Sequence, residues 1–125
     1  MDAARPTVLV VDDEPALRLL CRVNLELEGH RVLEAATVEV ARELLDGEPI
    51  DVVLLDMHVG AGSGLDVLDA IEAAELDVRV VVLSGTSEIT PALRARADAV
   101  LGKPFGLDEL TAAVAGGGPE RVGGA

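Results

Sequence analysis

Three carboxylates, one hydroxyl and one ammonium stand out in this chain of 125 residues. They are Asp12 and Asp13 in VVDDEP, Asp56 in VVLLDMH, Ser84 in VVVLSG, and Lys103 in LGKPFG, and each follows a short aliphatic run. Lys103 is the only lysine; the other nine basic residues are arginines. Arginine is a flat fork that binds carboxylates in pairs, whereas lysine is a compact, mobile point charge. A site that needs one ammonium beside an anion favours lysine. Two carboxylates about 4 Å apart repel by roughly 4 kcal/mol at an effective dielectric near 20. Three together, without partners, would strain the fold or take up a proton. Lys103 offsets one charge, and a hard divalent cation would offset more. Carboxylates, carbonyls and water suit Mg2+ or Mn2+, and Mg2+ is commonly held by one or two carboxylates plus phosphate oxygens. Cation, lysine and hydroxyl together make a cradle for a phosphoryl group. The remaining carboxylate is a candidate nucleophile, because aspartate forms acyl phosphates.

The elements that must position these groups alternate along the chain. TVLVV (7–11) reads as a buried strand, followed by a helix with Pro15 in its first turn and Leu17, Leu20, Val23 and Leu27 at helical spacing. HRVLEAA (30–36) is a less apolar strand, nearer an edge, and Thr37 caps a helix to about Asp46. DVVLLD (51–56) is the third strand. MHVGAGSG is expected to be a flexible loop, made mobile by three glycines, before a helix over roughly 65–75 with Leu65, Leu68 and Ile71 on one face. VRVVVLS (78–84) is the fourth strand. A short helix over about 91–97, a brief strand at 99–102 and a last helix from Leu107 to Ala115 complete the pattern. Asp108 and Glu109 fall in the first turn of that last helix, where negative charge is favourable. Five strand–helix units give an α/β fold with a parallel sheet and helices on both faces. Ligands bind such sheets outside the carboxyl ends of the strands, which is where all five polar residues fall.

Composition narrows the function classes. The formal net charge is −13, which repels phosphate backbones and anionic lipid. Nucleic acid and membrane are therefore not expected as direct partners. The single cysteine, Cys21, excludes an intramolecular disulfide and reads as a small buried apolar residue of the first helix. No signal peptide or membrane-spanning run is seen, so a cytoplasmic protein is expected. With one Phe and no Trp or Tyr, the core must be aliphatic. Residues 1–6 form an N-terminal arm, and the Gly-rich tail 116–125 is expected to be disordered.

Taken singly, each polar residue has an ordinary explanation as a helix start, a strand end or a turn. Taken in order, VLVVDDEPALR, VVLLDMHVGAGSG, VVVLSG and VLGKPFGLDEL resemble the receiver domain of two-component response regulators, over about residues 7–115. The resemblance is to single-domain, chemotaxis-regulator-like receivers. It implies a flavodoxin-like five-stranded sheet of order 2-1-3-4-5. It implies that Asp56 accepts a phosphoryl group from a histidine kinase or phosphotransfer protein. Asp13 would bind Mg2+ (or Mn2+) directly and Asp12 largely through water, with Asp56 and the backbone carbonyl of His58 completing the set. Lys103 would pair with the phosphoryl oxygens, and Ser84 would swing inward to hydrogen-bond them. His58 and Thr86 would occupy positions that tune dephosphorylation, with the His58 side chain solvated at the pocket. Pro104 would follow a cis peptide bond.

The chain also departs from that family. Val100 stands where an aromatic residue usually accompanies the hydroxyl's motion. The segment from Ser84 to Lys103 is short, so the fourth helix is expected to span about two turns and the output face to be reshaped. Arg96 stands where a glycine often ends that helix. His30 reads as a surface or strand-start histidine. The expected function is a signalling switch or relay that alters binding to a protein partner and is not a turnover enzyme. Two alternatives stand beside it: a phosphorylation-independent interaction module, and a phosphatase of the haloacid dehalogenase type. The latter family places its nucleophile in a DxD pattern after the first strand, which VVDDEP lacks.

Overall fold

Val8 to Val11 are wholly inaccessible to solvent, which fixes the first strand at the centre of the molecule. A computed structural model describes residues 5–85 and 88–116; residues 1–4 of the arm and 117–125 of the tail lie outside them. In chain order the elements are β1 (Thr7–Val11), α1 (Pro15–Leu27), β2 (Arg31–Ala35), α2 (Val38–Gly47), β3 (Val52–Asp56), β4 (His58–Val59), β5 (Gly62–Ser63), α3 (Gly64–Ala73), β6 (Arg79–Gly85), α4 (Pro91–Arg96), β7 (Ala99–Lys103) and α5 (Leu107–Ala115). Five strands form one parallel sheet in the order β2-β1-β3-β6-β7. Because β4 and β5 pair only with each other, this is the order 2-1-3-4-5 expected from the resemblance.

Side chains of the sheet alternate between two aliphatic layers. Val8, Val10, Val52, Leu54, Val81 and Leu83 pack with Cys21 and Leu25 of α1 and with Leu110, Ala113 and Val114 of α5. Leu9, Val11, Val53, Leu55, Val80 and Val82 pack with residues of α2 and α3 and with Leu93 of α4. Both faces are thus covered, which is why the central strands read as continuous apolar runs. Each such side chain contributes about 1.5–3 kcal/mol on burial.

Register then aligns the strand ends. Val11 lies opposite Leu55, so the next residues, Asp12 and Asp56, emerge side by side. Asp56 pairs with Leu83, one residue before Ser84, and Gly85 pairs with Lys103.

Four expectations need correction. The buried face of α1 is Cys21 and Leu25, with Leu17 partly buried, whereas Leu20, Val23 and Leu27 are exposed. Apolar residues ring this helix, and the sheet takes the i, i+4, i+8 stripe. Leu65 is exposed, and α3 turns Val67, Leu68 and Ile71 inward. His30 stands just before β2, as a strand-start residue would, but it is not at the surface: it is buried, its Nδ1 2.8 Å from the Pro6 carbonyl oxygen. The stretch after Asp56 is not an open loop but a short antiparallel hairpin, with His58 opposite Ser63 and Val59 opposite Gly62. Two of its glycines serve close packing. A Cβ on Gly62 would lie 2.7 Å from Val38 Cγ2, and one on Gly64 would lie 2.6 Å from the Asp56 carbonyl oxygen and 2.5 Å from Met57 Cε.

Gly64 also donates its N–H to the Met57 carbonyl at 2.9 Å, so its backbone is pinned beside Asp56. Gly64→Ala is therefore expected to destabilise the protein by about 1–3 kcal/mol, as overpacking does. Urea unfolding followed by circular dichroism reads this directly.

Candidate functional site

At the end of β1 the chain must turn sharply from sheet to helix, and Asp12 makes that turn. Its Oδ1 accepts the Glu14 N–H at 2.9 Å, and its backbone carbonyl accepts from Arg18 Nη1 at 2.8 Å. Arg18 is held in turn by Glu34 of β2 at 3.2 Å. Asp12 is thereby fixed and buried, while Asp13 is exposed and points its Oδ2 at the Gly60 N–H, 3.0 Å away. That contact ties the acidic pair to the β4–β5 hairpin. Asp56, the last residue of β3, is buried, and Lys103 Nζ donates to its Oδ1 at 3.0 Å. The same ammonium lies 3.7 Å from Asp12 Oδ2. The Lys103–Pro104 peptide that follows is cis.

One ligand oxygen from each of Asp12, Asp13 and Asp56 can be chosen so that all lie within 4.8 Å of one another. Burial pushes the Asp12 carboxyl upward, the Glu14 N–H opposes this, and the neighbouring Asp56 charge reinforces it. Burial works against the charge of Lys103, yet its hydrogen bond to Asp56 and the nearby charges of Asp56, Asp12 and Glu14 prevail, so its pKa is raised. Asp12 Oδ2 is buried with no hydrogen-bond partner. An orphaned carboxylate oxygen beside two more carboxylates, with one shared ammonium, is a donor set suited to a hard, oxygen-seeking divalent cation. The residues therefore fit Mg2+ or Mn2+.

Ser84 is buried at the end of β6, and its hydroxyl donates to Glu88 Oε1 at 2.9 Å. The other carboxylate oxygen of Glu88 meets His58 Nε2. The His58 side chain is exposed, and the Glu88 contact raises its pKa while lowering that of Glu88. Sequence reasoning missed Glu88. The available signal was a carboxylate four residues beyond Ser84 in SGTSEITP, just ahead of a helix start. Thr86 lies outside the described residues.

Val100 lies on β7 opposite Val82, partly buried against the layer that contains Leu93. The fourth helix is six residues long, capped by the Thr90 hydroxyl, which accepts the Leu93 N–H. Arg96 at its end reaches back to α3, donating to Asp69 at 2.7 Å and to both oxygens of Glu72 at 3.0 Å. This clamp fastens the shortened helix to its neighbour.

Comparison with known proteins agrees with this geometry. The family model described as the response regulator receiver domain matches residues 8–115. The transcriptional regulatory protein KdpE of Mycobacterium tuberculosis is 41% identical over 108 residues, covering 84% of this chain and 47% of that protein. The chain thus spans about half the length of that relative. Sporulation initiation phosphotransferase F of Bacillus subtilis is 28% identical over 110 residues, covering 86% of this chain and 89% of that protein. Among solved structures, response regulator TrrA of Thermotoga maritima, in complex with Mg2+-BeF, superposes with a TM-score of 0.80 at 31% identity, covering 87% of this chain and 96% of that one. With a family match running from β1 to the end of α5, and a relative at 41% identity, the chain belongs to the response regulator receiver domains of two-component signalling.

Proposed function

We propose that this chain works as a phosphorylation-dependent switch or relay, in which Asp56 takes a phosphoryl group from a sensor histidine kinase or a phosphotransfer protein. One observation carries the reading: Lys103 Nζ stands 3.0 Å from Asp56 Oδ1 in a pocket where three carboxylates converge. A carboxylate oxygen of Asp56 forms a bond to phosphorus. The bond from phosphorus to the donor's imidazole nitrogen breaks, and the departing imidazole keeps that electron pair and takes up a proton. Lys103, already beside the acceptor, neutralises charge that the incoming phosphoryl oxygens bring. Asp12, Asp13, Asp56 and the His58 carbonyl would hold Mg2+ (or Mn2+), which supplies further charge neutralisation at the phosphoryl oxygens. In this reading the Ser84 hydroxyl would report the new state.

Support for a relay comes from the relative named as a phosphotransferase, which this chain matches over most of both lengths. The acidic composition favours a protein partner over nucleic acid or membrane, in a cytoplasmic setting. In this reading the chain assists its own phosphorylation and dephosphorylation and turns over no external substrate. Val100 cannot carry the message as an aromatic rotamer would, so output would pass from Ser84 toward α4 and whatever protein reads that face.

Three outcomes test the proposal. A small acyl phosphate with Mg2+ should add one phosphoryl group to the wild-type chain, and Asp56→Asn should abolish the adduct in intact-mass spectra. Absence of any adduct, with either the small donor or a cognate kinase, would contradict it. Mg2+ should raise the thermal midpoint of the wild type, by about 2.7 kcal/mol of stabilisation at a hundredfold excess over its Kd. Asp13→Asn should lose that response, and Asp12→Asn should be more stable than wild type without metal, because it removes a repelling buried charge. Lys103→Arg should slow phosphorylation despite keeping its charge, since the wider fork does not fit a point contact with Asp56; wild-type rates in that variant would show that any cation suffices.

A further inference from the structure

The hydroxyl of Ser84 has one proton to give, and in this structure it goes to Glu88 Oε1 at 2.9 Å. While it does so, it cannot be donated to a phosphoryl oxygen on Asp56. A hydrogen bond to a carboxylate is charge-assisted and roughly twice as strong as a neutral one, so breaking it opposes any inward movement of Ser84. Glu88 is itself steadied from the other side, where its Oε2 meets His58 Nε2 on the hairpin that follows Asp56. The carboxylate thus bridges the end of β6 and the start of β4, two elements that flank the acceptor. It lies outside the group formed by Asp12, Asp13 and Asp56, so the proposed metal and acceptor roles leave it unexplained.

We infer that Glu88 is a positioning residue: it holds the Ser84 hydroxyl away from the acceptor in the unphosphorylated chain and competes with the phosphoryl group for it. The inference rests on the reading of Ser84 as a phosphoryl-binding group. Phosphorylation sharpens the competition, because a phosphoryl group on Asp56 offers Ser84 a second anionic acceptor. When the hydroxyl turns to that acceptor, Glu88 loses its contact with Ser84. Its side chain is 41% exposed, so water can solvate the carboxylate it releases. Glu88 also lies two residues before Thr90, the cap of α4. Its release therefore occurs at the entrance to the helix that Arg96 clamps to α3, giving a route to the output face that needs no aromatic residue at position 100.

A double-mutant cycle on the full chain tests this, with beryllofluoride plus Mg2+ as the phosphoryl mimic and 19F NMR as the readout of its affinity. Glu88→Ala should tighten beryllofluoride binding by at least about threefold, because the mimic no longer has to win the hydroxyl from a carboxylate. Glu88→Gln, which keeps an acceptor but loses the charge, should give a smaller gain. In a Ser84→Ala background the Glu88→Ala gain should vanish. An unchanged or weakened affinity in Glu88→Ala would overturn the inference. So would an equal gain with and without Ser84, since that would mark simple removal of a nearby negative charge. If the wild-type chain fails to bind beryllofluoride at all, the phosphoryl-site reading falls first and the Glu88 inference with it. Wild-type binding with no Glu88–Ser84 coupling overturns the inference alone.

Discussion

Three carboxylates meet at one edge of the sheet, and the Lys103 ammonium pairs with only two of them, Asp56 and Asp12. That imbalance is the constraint on which the rest of the structure depends. Asp12 is buried, keeps one oxygen without a hydrogen-bond partner, and has its pKa raised chiefly by burial. Lys103 is bound to Asp56 and lies near Asp12, so one cation serves two anions. Such a cluster is tolerated because rigid elements impose it. The register between β1 and β3 sets Asp12 beside Asp56, and β7 delivers Lys103 across β6. The aliphatic layers on both faces supply the stability that the cluster subtracts from. A divalent cation would then relieve repulsion already present and offset the charge that a phosphoryl group adds, in keeping with a site organised ahead of its ligands.

A switch also needs two states close in free energy. Moving a population from 1:99 to 99:1 takes roughly 5.5 kcal/mol of differential stabilisation. In the proposed phosphorylated state, charge-assisted hydrogen bonds from Ser84 and Lys103 to the phosphoryl group would supply it. Opposing them are the contacts already made, Lys103 to Asp56 and Ser84 to Glu88. Val100 is a partly buried aliphatic residue, and the short α4 is fastened to α3 by Arg96, whose paired contacts with Asp69 and Glu72 are the kind only an arginine makes well.

Much of this was legible in the sequence, for physical reasons. Central strands buried on both faces must be aliphatic throughout, so any polar residue at a strand end is conspicuous; that exposed Asp12, Asp56, Ser84 and Lys103. The strand order followed from the family resemblance and not from the pattern alone. Other features were hidden. The buried stripe of α1 was legible only in part: Cys21 reads as buried and is, but apolar residues occur on several faces, and only the sheet selects Leu25 over Leu20, Val23 and Leu27. The hairpin after Asp56 was read as a loose loop because glycine signals freedom and close packing alike; Gly62 and Gly64 show the second use. His30 reads as a surface or strand-start histidine; it does stand just before β2, but it is buried against the Pro6 carbonyl, a long-range contact that no local pattern encodes. Glu88 was missed because its partners, Ser84 and His58, converge only in the fold.

The central claim is that the Asp56 carboxylate, and no other in the cluster, forms the bond to phosphorus. The direct measurement is to treat the phosphorylated chain with borohydride, which reduces an acyl phosphate of aspartate to homoserine, and to locate the product by peptide mapping. Homoserine at position 56 and at neither 12 nor 13 is the predicted result. Homoserine at either member of the acidic pair, or a stable phosphoryl group on His58 or Ser84 that borohydride leaves untouched, would contradict the account.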